Sequence, residues 1–212
     1  MTVGTAETSY AYDRNNRLLG TSTVENGKSA AATYYYDNNG NQVSKICSSL
    51  SPAGTGCQLF TLGGGGYELY YYDLFNQMVA ANVDGVEATY AYGPDGLRTG
   101  KASGGASTQQ IWSGGQVVLE AAGSTYTKYV RGVNLIASAN GVQAGAVQNY
   151  FMYNAHGDVV QLTNTSGAVT KSYNYDAFGN EKDPAATDKN PWRYCGEYFD
   201  LEMGTYYLRA RC

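Results

Sequence analysis

Tyr34-Tyr35-Tyr36-Asp37-Asn38-Asn39-Gly40 decides how this chain reads, because close copies of it recur. Tyr10-Ala11-Tyr12-Asp13, Tyr70-Tyr71-Tyr72-Asp73 and Tyr173-Asn174-Tyr175-Asp176 repeat the Tyr-x-Tyr-Asp pattern. Tyr90-Ala91-Tyr92-Gly93-Pro94-Asp95-Gly96 and Tyr150-Phe151-Met152-Tyr153-Asn154-Ala155-His156-Gly157 are degenerate copies. In an extended segment the side chains at i and i+2 share a face, so both rings of a copy point the same way. The Asp or Asn that follows, with Gly three places on, has the preferences of a type I turn. Its side-chain oxygen can accept N–H bonds from that turn. These aspartates are therefore expected to build turns rather than to carry chemistry. The residues that precede a turn fall at 12, 36, 72, 92, 112, 129, 153 and 175, a period of about 20 to 24 with one enlarged gap.

A second turn chemistry lies between these copies: Asn26-Gly27, Asp84-Gly85, Asn140-Gly141 and Ser166-Gly167. Such pairs suit two-residue hairpins, because both central residues tolerate positive φ. Two alternating turn types predict an all-β chain of antiparallel hairpins. No apolar period of 3.6 persists long enough to predict a helix. The enlarged gap, at about residues 47–66, holds a loop closed by Cys47 and Cys57, then Gly63-Gly64-Gly65-Gly66. That glycine run precedes a strand and lacks a following Lys-Ser/Thr, which argues against a phosphate cradle.

Composition narrows the function classes. The 212 residues include 27 Gly and 21 Tyr, only 15% are charged, and the net charge is −4. A mildly acidic chain without a basic block has no electrostatic footprint for nucleic acid or anionic lipid. No apolar run approaches a membrane span, and Met1 to Glu7 lacks the basic and apolar regions of a secretory signal.

Tyr-x-Tyr-Asp-x-x-Gly-Asn at this spacing resembles the YD repeats of RHS (rearrangement hotspot) proteins, bacterial wall-associated proteins and animal teneurins. Three further stretches, Tyr173 to Asn180, Asn190 to Asp200 and Gly204 to Arg211, resemble the RHS repeat-associated core. The resemblance implies a sheet that winds into a spiral or partial shell, with residues 1–148 as hairpin array and 149–212 as an inward-curling core segment. It implies an exported or cell-surface bacterial protein associated with toxins. The autoprotease segment that follows the core in several relatives has no counterpart here, so the chain reads as a fragment of a longer protein or a short orphan copy.

Candidate chemistry is sparse. His156 is the only histidine; it stands at the third position of a turn, where an exposed polar residue is ordinary. The four cysteines, Cys47, Cys57, Cys195 and Cys212, fit no zinc spacing, and neither metal nor cofactor is expected. Cys47 and Cys57 are the disulfide candidates, while Cys195 and Cys212 stay open between free thiols and a pair. Glu197, Asp200 and Glu202 could hold a cation or act as a carboxylate pair, but Arg193, Arg209 and Arg211 close by make ion pairing the simpler account. Trp192, Tyr198, Tyr206 and Tyr207 are expected to form a buried aromatic core. The resulting expectation is a structural or interaction part without catalysis, pairing with other shell segments or with copies of itself through strand edges. The alternative is an adhesive, glycan-binding surface built on exposed aromatic rings.

Overall fold

A computed structural model describes residues 7–25, 28–49, 66–141, 147–185 and 187–209. They fall into two compact units, divided between Glu87 and Ala88. In the first unit six strands follow one another: β1 (Glu7–Tyr12), β2 (Leu18–Glu25), β3 (Lys28–Tyr36), β4 (Gln42–Ser49), β5 (Tyr67–Tyr72) and β6 (Met78–Val83). Each pairs antiparallel with the next.

The second unit begins within β7 (Val86–Tyr92) and continues through β8 (Arg98–Ser103), β9 (Ala106–Ser113), β10 (Gln116–Ala122) and β11 (Thr125–Arg131). β12 (Leu135–Asn140), β13 (Val147–Tyr153), β14 (Val159–Thr163) and β15 (Val169–Ser172) complete this meander. A short 3-10 turn at Tyr194–Gly196 then leads into a separate hairpin, β16 (Tyr198–Asp200) and β17 (Thr205–Tyr207). Among the described residues there is no α-helix. The all-β antiparallel reading holds.

The turns explain why. The first residue of the long turn accepts two backbone N–H groups on one oxygen: Asn39 and Asn41 donate to Asp37 Oδ1 at 2.9 and 2.8 Å. Asp13, Asp73 and Asp176 repeat this. So does Asn164, with Ser166 and Ala168 donating to its Oδ1. Ser166-Gly167 therefore closes a long turn rather than making a two-residue one. Asp84-Gly85 is a two-residue turn with both φ positive, 54° and 84°. Gly104-Gly105 and Gly114-Gly115 are two more, likewise positive at both residues. Asn26-Gly27 and residues 142–146, which follow Asn140-Gly141, lie outside the described residues.

Beside the long turn the register slips by one. Tyr36 faces Gln42 but Tyr35 faces Ser44, and the same skip separates Tyr72 from Tyr71, Tyr92 from Ala91 and Tyr153 from Met152. Such a bulge bends the strand and raises its twist. It also frees a carbonyl that the next repeat uses. Tyr36 Oη donates to Leu18 O at 2.9 Å, Tyr153 Oη to Leu135 O at 2.9 Å and Tyr175 Oη to Val159 O at 3.0 Å. Trp112 Nε1 to Arg98 O at 2.6 Å and Arg131 Nε to Val117 O at 2.8 Å take the same place in their repeats. The second aromatic at Tyr36, Tyr153 and Tyr175 is thus a tie to the preceding hairpin, and the job needs only a long side chain with a terminal donor.

The core of the second unit gathers Val117, Tyr129, Leu135, Phe151, Val159, Leu162, Tyr173, Trp192 and Tyr198. Polar groups run through it. The Tyr129 hydroxyl donates to Glu120 Oε2, and Tyr198 Oη and Gln110 Nε2 donate to Glu120 Oε1 at 2.6 and 3.1 Å. Burial, and then the Glu120 charge, pushes the Tyr129 and Tyr198 hydroxyls well above the ordinary value. Burial likewise pushes Tyr153 and Tyr206 up to about 12. Folding raises these groups, so the stability they contribute is complete below the usual tyrosine value of about 10 and lost as pH climbs through their folded values. Ultraviolet titration is expected to show one class of tyrosines ionising near pH ~10 and a second only together with loss of the β signal. A single class covering all 21 tyrosines in still-folded protein would contradict this burial.

In the first unit the comparable polar link is Lys45 Nζ to Glu68 Oε1 at 2.5 Å, with Tyr70 Oη donating to Glu68 Oε2 at 2.7 Å. Cys47 lies on β4; Cys57, its expected partner, lies outside the described residues.

Candidate functional site

The described chemistry concentrates where the β13–β14 turn meets the segment after β15. Asn154 builds that turn: its Oδ1 accepts the N–H groups of His156 and Asp158, both at 3.0 Å. Its Nδ2 donates to Asp158 Oδ2 at 2.7 Å. Asp158 is 6% exposed, and its Oδ1 meets His156 Nδ1 at 2.9 Å and the Cys195 N–H at 2.9 Å. Burial alone would raise the Asp158 carboxyl, but the bonds from Cys195, His156 and Asn154 hold it below the ordinary value. Cys195 Sγ lies 3.9 Å from His156 Nδ1. Burial, then the charges of Asp158 and Glu197, pushes the thiol up.

A pocket of about 270 Å³ opens here, lined by Asn154, His156, Asp158, Val160, Tyr173, Asn174, Tyr175, Asp176 and Tyr194. Its aromatic wall is fixed from behind. Tyr173 and Tyr175 stack at 6.2 Å and 5° between planes, and Tyr194 meets Tyr175 edge-on at 5.6 Å. The Tyr194 ring covers Gly179 so closely that a Cβ there would come within 2.7 Å of it. The 3-10 turn carrying Cys195 is bent: Cys195 has φ 52° and ψ 17°, and Gly196 has φ 66°. A non-glycine residue in this left-handed region costs on the order of 1–3 kcal/mol and persists only where its surroundings hold it.

The arrangement is not a nucleophile relay. In a Cys-His-Asp or Ser-His-Asp triad the nucleophile and the carboxylate use opposite nitrogens of the imidazole. Here both approach Nδ1, and the thiol is pushed away from its nucleophilic form rather than toward it. What the three groups share is a point of convergence.

The remaining sequence candidates sort out as follows. Trp192 and Tyr198 are 4% and 5% exposed and meet edge to face at 5.3 Å. Tyr206 and Tyr207 are half-buried. Tyr206 packs on Phe199 at 4.9 Å, while Tyr207 packs on Trp112 at 6.2 Å. Glu197 pairs with Arg209 at 2.5 Å. Asp200 and Glu202 find their partners on β8 instead: Arg98 and Lys101 on Asp200 at 2.6 and 3.1 Å, and Lys101 on Glu202 at 2.9 Å. Arg193 turns to Glu181 and Asp188, at 2.7 and 3.2 Å. Sequence reasoning weighed His156 with Asp158 two places on, set that spacing down to the turn, and did not place Cys195 beside them; His156 and Cys195 stand 39 residues apart, beyond any spacing rule.

Comparison with known proteins now bears on this site. No protein-family model matches the chain. The chain is 31% identical, over 95% of its length, to the tRNA3(Ser)-specific nuclease WapA of Bacillus spizizenii. It is 29% identical, again over 95%, to the tRNA nuclease WapA of Bacillus subtilis strain 168. Over 67% of its length it is 30% identical to the tRNA(Glu)-specific nuclease WapA of Bacillus subtilis subsp. natto. The chain spans about 9% of the length of the first two. Among solved structures, the crystal structure of TcdB2-TccC3-Cdc42 superposes with a TM-score of 0.51 at 15% identity, covering 94% of this chain and 13% of that one. The fold is RHS-related.

These similarities correct two expectations. A structural or interaction part without catalysis, and with it the answer that no enzyme is involved, gives way to relatives named as tRNA nucleases; the glycan-binding alternative gains no support. The expectation failed for a physical reason. Hairpin repeats display turn and packing residues, and an activity named for relatives of which this chain spans about 9% need not show in them.

Proposed function

We propose that the protein carrying this chain is a toxin-type nuclease that cleaves tRNA. The observation that supports this reading is the run of 29–31% identity across 95% of the chain to WapA nucleases. A similarity that long reaches both units and the turn chemistry of each, not one shared repeat. On this reading residues 149–212 correspond to the RHS repeat-associated core, and the described hairpins are one stretch of a longer polypeptide. The acidic balance of −4 leaves the phosphate-binding positive charge to be supplied outside these residues. The test is direct: protein expressed from its whole reading frame is incubated with purified tRNA and the products are resolved on a denaturing gel. Discrete fragments are expected. Intact tRNA at stoichiometric protein would overturn the reading.

A further inference from the structure

We propose that His156, Asp158 and Cys195 form a binding site for a zinc-type divalent ion. His156 Nδ1, a carboxylate oxygen of Asp158 and Cys195 Sγ all lie within 4.8 Å of one another. Two of the separations are 2.9 Å and 3.9 Å. Bonds of about 2.0–2.3 Å to one tetrahedral ion would set the donors about 3.3–3.8 Å apart, so the His156–Asp158 pair opens and the His156–Cys195 pair closes by a few tenths of an ångström around it. One nitrogen, one oxygen and one sulfur select against magnesium and calcium, which take oxygen ligands, and for a borderline-soft ion.

Three features of the cluster fit such an ion. Both Asp158 and Cys195 approach the same imidazole nitrogen, which suits a shared cation and no proton relay. Cys195 is held at φ 52° by a backbone bond to Asp158, a conformation that packing alone would assign to glycine. Finally, Asn154 Nδ2 holds the outer oxygen of Asp158 at 2.7 Å, the kind of outer support that orients metal-bound carboxylates. His156 and Asp158 also line the pocket under Tyr173, Tyr175 and Tyr194. Three protein donors leave a fourth position for water or a ligand, as in open zinc sites. On binding, the thiol proton leaves to solvent, and the imidazole proton that Nδ1 donates to Asp158 Oδ1 is exchanged through solvent for one on Nε2, so that Nδ1 presents its lone pair to the ion. This site does not depend on the tRNA-cleaving reading.

The chain in reducing buffer is titrated with zinc by calorimetry and with cobalt(II) by absorption, in a Cys47→Ser, Cys57→Ser, Cys212→Ser background that removes the other cysteines. One ion per chain is expected, with a thiolate-to-cobalt charge-transfer band. Cys195→Ser and His156→Gln should abolish the band. They should also weaken zinc uptake by more than the roughly 10- to 100-fold that loss of an outer-shell partner costs. Cys195→Gly separates binding from folding: glycine relieves the positive φ, so its melting temperature should match or exceed the parent's while the band disappears. No band in the parent, or a band unchanged in Cys195→Ser or His156→Gln, overturns the site.

Discussion

Asp200→Ala is expected to destabilise the second unit by about 3–5 kcal/mol, the usual cost of leaving a buried charge without its partner. Asp200 and Arg98 are each 1% exposed, and the contact is two-pronged, Nη1 to Oδ2 at 2.6 Å and Nη2 to Oδ1 at 3.1 Å. The guanidinium lies 4.3 Å above the Tyr207 ring and 5.1 and 5.2 Å from Tyr90 and Tyr198. Burial would depress Arg98, but the Asp200 charge and hydrogen bond more than offset it, so the group stays ionised. Without Asp200 that charge is held mainly among rings. Both tryptophans of the chain, Trp112 and Trp192, belong to this unit, so tryptophan fluorescence during denaturant unfolding reads its stability selectively. The double variant Arg98→Met, Asp200→Leu should recover most of the loss, because an apolar pair of similar volume replaces a buried ion pair at little cost. A single variant within about 1 kcal/mol of the parent, the range of an exposed pair, would show that the link is not buried in solution.

Trp192→Ala has an expected cost of similar size, about 3–5 kcal/mol, with a fall in melting temperature on the order of 10 °C. The indole meets Tyr129 and Tyr198 edge to face, both at 5.3 Å, and carries the Arg131 guanidinium 4.4 Å above its face. Removing it opens a cavity between the β10–β14 surface and the segment leading to β16, and strips Arg131 of its ring. Trp192→Phe keeps an edge-to-face partner and should lose much less. A melting temperature for Trp192→Ala within a degree or two of the parent's would mean that this segment does not pack into the unit.

The fold was legible because each repeat signs itself locally. Tyr36 with Asp37, and Asp84 with Gly85, state strand face and turn type within a few residues, and the structure follows them. Where the signature is borrowed, reading fails. Trp112 stands where the spacing put its repeat, but Arg131, which ties its own repeat as Tyr36 and Tyr153 do, stands two places beyond position 129. Ser166-Gly167 passes for a hairpin pair until Asn164 is seen to start the turn. Gly104-Gly105 and Gly114-Gly115 carry no Asn or Asp to draw the eye. Contacts distant in sequence were out of reach altogether: Arg98 and Asp200 are 102 residues apart, and His156 meets Cys195 only because the segment after β15 folds back over the β13–β14 turn. The acidic cluster Glu197, Asp200 and Glu202 was read with neighbouring arginines as partners, whereas β8 supplies the partners of two of the three carboxylates.

The proposed activity was the least legible part, because nothing in a hairpin array announces cleavage of RNA. Its most direct test is sequencing of RNA 3′ ends after purified tRNA pools meet protein made from the whole reading frame. New ends concentrated at one position in one or a few tRNA species are predicted. Unaltered tRNA, or breakdown spread evenly over all RNA, would contradict a tRNA-directed nuclease.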